Sequence, residues 1–120
     1  MTVYKINDLV KFDFIKIPKT LFANPKYKEM SSDAKLTYAL LYDRLSLSIQ
    51  NNWINADGEV YLVYTRGAIA EDLGITYKKA IAAFKELKEN HLIIDKQCGH
   101  GMPNYIFIVK PELSDTEAKK

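Results

Sequence analysis

A chain of 120 residues that is 48% hydrophobic and 27% charged has the make-up of one globular domain with one core. It has no run of about 18 apolar residues to span a bilayer and no signal-like apolar stretch at its start. Its single cysteine, Cys98, excludes an internal disulfide. The formal net charge of +2 is unevenly spread: six lysines face Asp8 and Asp13 over residues 1–28, Lys35 and Arg44 face five acids over 29–60, and seven basic residues face five acids over 61–110. Local basic clusters of this kind permit nucleic-acid binding without requiring it. A cytoplasmic protein is the simplest expectation.

Residues 9–17, LVKFDFIKI, alternate apolar and charged side chains around Phe12 and Phe14 and read as strand-like or extended. Pro18 ends the stretch, and Asn24-Pro25 reads as a turn. Ser31, Ser32 and Asp33 offer an N-cap to a helix expected to run to about Ser48 or Ile49. Its apolar positions Ala34, Tyr38, Leu41 and Leu45 share one face and Leu36, Leu40 and Leu47 a second, so burial on more than one side is expected.

Asn55 to Gly58 is a turn signal, and Glu59 to Tyr64 reads as a short strand. Thr65 caps the next predicted helix, which buries Ala68, Ile69 and Leu73. Gly74 ends it, because glycine accepts the left-handed backbone of a helix terminus. A long helix follows with Thr76 as N-cap and Ala80, Ala83, Phe84 and Leu87 toward the core. Leu92-Ile93-Ile94, the loop DKQCGHGMPN and Tyr105 to Val109 read as a β-hairpin. A helix-turn-helix followed by a hairpin gives an α+β winged helix with an N-terminal extended arm. The expected divisions are an arm at 1–17, the winged helix at 18–110 and a polar tail at 111–120. The tail reads as a linker to a further C-terminal domain.

In a helix-turn-helix the second helix enters the major groove of DNA with its N-terminal residues leading. The first two turns here offer Thr76, Tyr77, Lys78, Lys79 and Ala82 off the core face. Helix N-termini favour anions. A lysine in the first turn opposes the helix dipole by about 0.3–1 kcal/mol, so a helix built for stability alone would carry acids there. Two lysines at this place argue for an anionic partner. Thr65 and Arg66 flank the same face, and Lys96, Gln97, His100 and Asn104 of the hairpin loop are candidates for a wing contact. The other reading of the loop is a solvated turn. Lys85, Glu86, Lys88 and Glu89 read as surface ion pairing along the helix.

Cys98 and His100 lack further ligands, so no metal site is expected. His91 sits after the long helix in a structural role. No phosphate loop and no catalytic constellation occur. No cofactor and no enzyme activity are expected. Residues 1–17, with Tyr4, Ile6, Leu9, Phe12 and Phe14, form either a self-association surface or a cover over the protein's own first helix.

The segments FIKIPKTLF, YKEMSSDAKLTYALLYDRLSLSIQNNW, GEVYLVYTRGAIAEDLG and KELKENHLI resemble the N-terminal domain of RepA-type plasmid replication initiators of low-GC Gram-positive bacteria. The resemblance covers about residues 10 to 109 and is most specific from Ser32 to Trp53. It implies a winged helix that binds repeats in a plasmid origin as double-stranded DNA. It also implies a homodimer or higher assembly, and host replication proteins engaged through a missing C-terminal domain. Carried over, the contacts fall on Thr76, Tyr77, Lys78, Lys79 and Ala82, and on Lys96 to His100. A winged helix used for protein contacts in a primosome or helicase loader, and a transcription repressor, are the alternatives.

Overall fold

A computed structural model describes residues 2–8 and 13–113; Leu9 and Phe12 of the expected self-association surface, and residues 114–120 of the expected tail, lie outside the described residues. Two short helices, α1 (Thr20–Ala23) and α2 (Pro25–Lys28), flank Asn24. The expected turn at Asn24-Pro25 is therefore a junction between helices. Asn24 caps α2 by accepting the Lys26 N–H, and Pro25 suits the first helical position because it has no N–H to satisfy. Residues 13–18 form no regular element, and Ile6–Asp8 make a single 3-10 turn, so no arm strand is found among the described residues.

Ser31 caps α3 (Ser32–Asp43), its hydroxyl accepting the Ala34 N–H. The expected single helix is interrupted. At Arg44 the N–H is shared between the carbonyls of Leu40 and Leu41, the tightened pattern of a helix terminus, and α4 (Leu45–Gln50) restarts beyond it. Ala34, Tyr38 and Leu41 are buried as expected. The second face is not: Leu36 and Leu47 are exposed, and only Leu40 packs on the core.

Residues 59–64 form no regular strand: Val60 makes an isolated bridge with Ile54, and Leu62 one with Ile106, which joins the segment to the sheet. Leu62 exchanges both backbone hydrogen bonds with Ile106, at 2.8 and 2.9 Å. The chain then leaves the sheet at Thr65, which caps α5 (Arg66–Leu73) by accepting the Ala68 N–H. Ile69 and Ala70 are buried there, with Ala68 and Leu73 half-buried.

Gly74 ends α5 at φ +70°, and the Ile75 N–H reaches back to the Ala70 carbonyl at 3.0 Å. That bond closes the left-handed terminus of a Schellman motif. Thr76 then caps α6 (Tyr77–Glu89), whose Ala80, Ala83, Phe84 and Leu87 are all buried. The antiparallel strands β1 (Ile93–Lys96) and β2 (Tyr105–Ile108) pair Ile93 with Ile108 and Lys96 with Tyr105.

The core joins α3, α5 and α6 to the inner face of this hairpin, with Leu41, Ile69, Phe84, Leu87, Leu92 and Ile106 at its centre. This is an α+β winged helix: α5, turn and α6 form the helix-turn-helix, and the hairpin is the wing. Glu112, which the sequence reading put in the tail, is bound into the domain. Its carbonyl accepts from Thr20 and Asn24, its N–H donates to the Tyr27 hydroxyl, and its carboxylate meets Lys26 at 2.9 Å.

Candidate nucleic-acid interface

The leading end of α6 is presented to solvent. Its core side is filled by Ala80, Ala83 and Phe84, which leaves Tyr77, Lys78, Lys79, Ile81 and Ala82 exposed, Tyr77 at 58%. Among the described residues neither Lys78 nor Lys79 has an ion-pair partner. The Thr76 hydroxyl accepts the Lys79 N–H at 3.2 Å, which leaves its own proton free to donate. Two ammonium groups therefore stand at the positive end of a helix dipole with no ion-pair partner among the described residues.

A groove of about 200 Å³ opens beside this end. Thr65, Arg66 and Gly67 line it from the start of α5, Tyr77 from α6, and Pro103 and Asn104 from the base of the wing. Four residues singled out in the sequence, Thr65, Arg66, Tyr77 and Asn104, are thus brought to one concave surface. Lys78, Lys79 and Ala82 are exposed on α6 outside the groove. Gln97 and His100 lie in the exposed wing loop, and Lys96 is the exposed last residue of β1.

Arg66 is not free in solution. Its Nη2 donates to Oδ2 of Asp95 at 2.9 Å, and its guanidinium carbon stands 4.6 Å from the centroid of the Phe84 ring. Asp95 was missed as a partner, although the signal was present. In a strand, alternate residues share a face, so Asp95 follows Ile93 toward the interior. Its side chain is 3% exposed, with Lys88 Nζ at 3.9 Å as a second cation.

The scaffold behind the groove has its own polar pins. The Tyr64 hydroxyl donates to Asp72, and the Arg44 guanidinium lies 4.4 Å from the Tyr64 ring centroid and 3.8 Å from the Asp72 carboxylate. Burial, aided by the Asp72 hydrogen bond, pushes the Tyr64 phenol up to about 12. It therefore stays a neutral donor at physiological pH. Glu86 was read as a surface pairing partner for the helix lysines. It instead reaches the start of α3, where it accepts the Ser31 N–H at 2.9 Å and the Ser31 hydroxyl. Lys85 does pair with Glu89 along the helix, at 3.9 Å.

The arrangement offers cations, helix N–H groups and hydroxyls on one convex helix end and one adjoining groove, which is equipment for holding an anion without chemistry. The family model described as "Replication initiator protein A (RepA) N-terminus" matches residues 13–120. A protein of Lactobacillus helveticus described as "41 kDa protein" is 31% identical over 110 residues, covering 87% of this chain and 31% of its own length. The chain thus spans about a third of the curated relative it matches.

Three solved structures are similar throughout. "N-Terminal domain of DNA binding protein" has a TM-score of 0.82 at 33% identity, covering 99% of this chain and 91% of that one. "Structure of Rep-DNA complex" has a TM-score of 0.81 at 33% identity, covering 98% and 91%. "Structure of MDR initiator" has a TM-score of 0.79 at 36% identity, covering 98% and 93%. The family match runs from the arm through the helix-turn-helix and wing, and on it the chain belongs to the RepA N-terminal family of replication initiators.

Proposed function

We propose that this chain is the DNA-binding domain of a replication initiator and binds double-stranded DNA at repeats in a plasmid origin. The observation that carries the reading is the leading end of α6, with Lys78 and Lys79 exposed and without ion-pair partners among the described residues, near the groove of Arg66, Tyr77 and Asn104. A similar protein solved as a Rep-DNA complex supports it. In this reading α6 enters the major groove with Thr76 and Tyr77 leading. Lys78 and Lys79 contact phosphates or guanine edges, Ala82 lets the helix come close, and Lys96, Gln97 and His100 of the wing lie along the neighbouring backbone.

Assembly belongs to the same proposal. Tyr4, Ile6 and Phe14 hold large apolar side chains at the surface, as do Val3 and Ile15. They suit a homodimer or higher assembly in the cytoplasm, and a further domain would engage host replication proteins.

Footprinting of the domain on its plasmid's DNA tests the reading. Protected repeats, affinity that falls steeply with salt, and a specific complex at least about a thousandfold tighter than the nonspecific one are expected. Salt-independent or sequence-blind weak binding would return the domain to the class of protein-binding winged helices. Sedimentation with residues 1–14 removed tests assembly, and an unchanged oligomeric state removes the arm from it.

A further inference from the structure

Asp95 is an expensive residue where it stands. Its carboxylate faces inward from β1, Oδ2 takes the Arg66 guanidinium, and Oδ1 is buried with no hydrogen-bond partner among the described residues. A buried ion pair with an unsatisfied oxygen is commonly no more stable than a well-packed apolar side chain of similar size. Asp95 pairs across the sheet with Ile106, a residue of the apolar core. Stability alone is a weak reason for the carboxylate.

Its effect on Arg66 is a stronger one. The guanidinium is held on one edge by Asp95 and on one face by Phe84. Only part of an arginine's five N–H donors is used in that way. The same side chain, 28% exposed, lines the groove with Thr65, Gly67, Tyr77 and Asn104. A surface arginine loses rotamer freedom when it grips a ligand, whereas one already fixed in its planar fork loses little.

We propose that Asp95 is a positioning residue for DNA binding: it fixes the Arg66 guanidinium so that its remaining N–H groups grip one backbone phosphate in the groove between α5, Tyr77 and Asn104. The proposal rests on the DNA-binding reading above and adds to it a defined phosphate seat and a residue that never touches DNA. Lys88, with Nζ 3.9 Å from Oδ2, is the other cation facing Asp95, and Arg66 keeps its bond to Oδ2 while its remaining N–H groups take the phosphate.

Affinity measured by titration on a duplex carrying one protected repeat, and on a scrambled duplex of equal length, at several salt concentrations, tests this. Arg66→Gln should weaken both complexes by a similar factor, on the order of tenfold, and lower the salt slope by about 1. Asp95→Asn keeps the shape and removes a negative charge near the DNA. By charge alone it would bind more tightly; by positioning it binds more weakly, roughly threefold to tenfold, on both duplexes.

Arg66→Lys keeps the charge and loses the fork. It should weaken binding with the salt slope unchanged, which keeps the test open if Asp95→Asn does not fold. Unchanged or tighter binding by Asp95→Asn, or full affinity in Arg66→Lys, overturns the proposal. If Lys78→Ala with Lys79→Ala still weakens binding in those cases, the DNA-binding reading stands without it. A wild-type domain that binds neither duplex overturns both.

Discussion

The backbone N–H of Ser31 donates to Oε1 of Glu86 at 2.9 Å, so the start of α3 is capped from the last turn of α6, 55 residues away. The Ser31 hydroxyl accepts the Ala34 N–H and donates to the same carboxylate. The negative charge sits at the positive end of the α3 dipole, where it is favourable. Glu86→Ala should therefore cost about 1–2 kcal/mol, and Glu86→Gln about half as much, because the amide keeps the acceptor and loses the charge. Urea denaturation of the two variants checks this. A loss within about 0.3 kcal/mol for Glu86→Ala would make Glu86 the surface residue that its helical neighbours suggest.

Lys78 and Lys79 should show opposite signs for stability and function. Both oppose the α6 dipole from its first turn, so replacing them with alanine should leave the domain as stable as before or up to about 1 kcal/mol more stable. DNA affinity should fall, and the salt slope should drop by about 1 for each phosphate contact removed. A double variant that melts at or above the wild-type temperature but binds DNA as well as wild type contradicts the docking of α6.

Two helix ends test the cost of left-handed backbone. Gly74 has φ +70° with nothing within 4 Å of an added Cβ, so Gly74→Ala meets no clash and costs only the backbone term, about 1–2 kcal/mol. His91 occupies the corresponding place after α6 at φ +58°, with the Leu92 N–H bonded back to the Leu87 carbonyl. His91→Gly should stabilise by about 0.5–1 kcal/mol, raising the melting temperature by about 2–6 °C. Calorimetry of both variants reads the two signs together, and His91→Gly melting below wild type would assign the imidazole a role beyond the terminus.

Alkali should destabilise the fold through two buried phenols. Burial pushes Tyr38 up to about 12, and Tyr64 stands at about 12. Both titrate near 10 in the unfolded chain. Folded pKa values above the unfolded ones mean that the stabilisation is fully present below pH 10 and is lost as pH rises toward 12, on the order of 2 kcal/mol for Tyr38 and less for Tyr64, whose partner Asp72 is open to screening by water. Tyr38→Phe loses the hydrogen bond to the Val109 carbonyl, about 1 kcal/mol at neutral pH, but should flatten the decline between pH 9.5 and 11.5. Urea midpoints across that range decide the matter. An equally steep decline in Tyr38→Phe would place the alkaline sensitivity elsewhere.

The caps at Thr65 and Thr76, a cap among Ser31, Ser32 and Asp33, the terminus at Gly74 and the buried face of α6 were all legible in the sequence. Each depends on contacts within one or two helical turns, where residue type and spacing decide the outcome. The order of these elements was enough to define a winged helix and to point to the exposed leading end of α6. Only the tertiary structure decided the rest. Ser31 meets Glu86 across 55 residues, Arg66 meets Asp95 across 29, and Glu112 closes on Thr20 across 92. The break at Arg44 and the groove at Tyr77 likewise depend on how separate elements pack. Periodicity says which face of an element is buried, but not which distant side chain meets a buried charge there. That is why the sequence put Arg66 beside the face of α6 but did not show Asp95, which holds it in the fold.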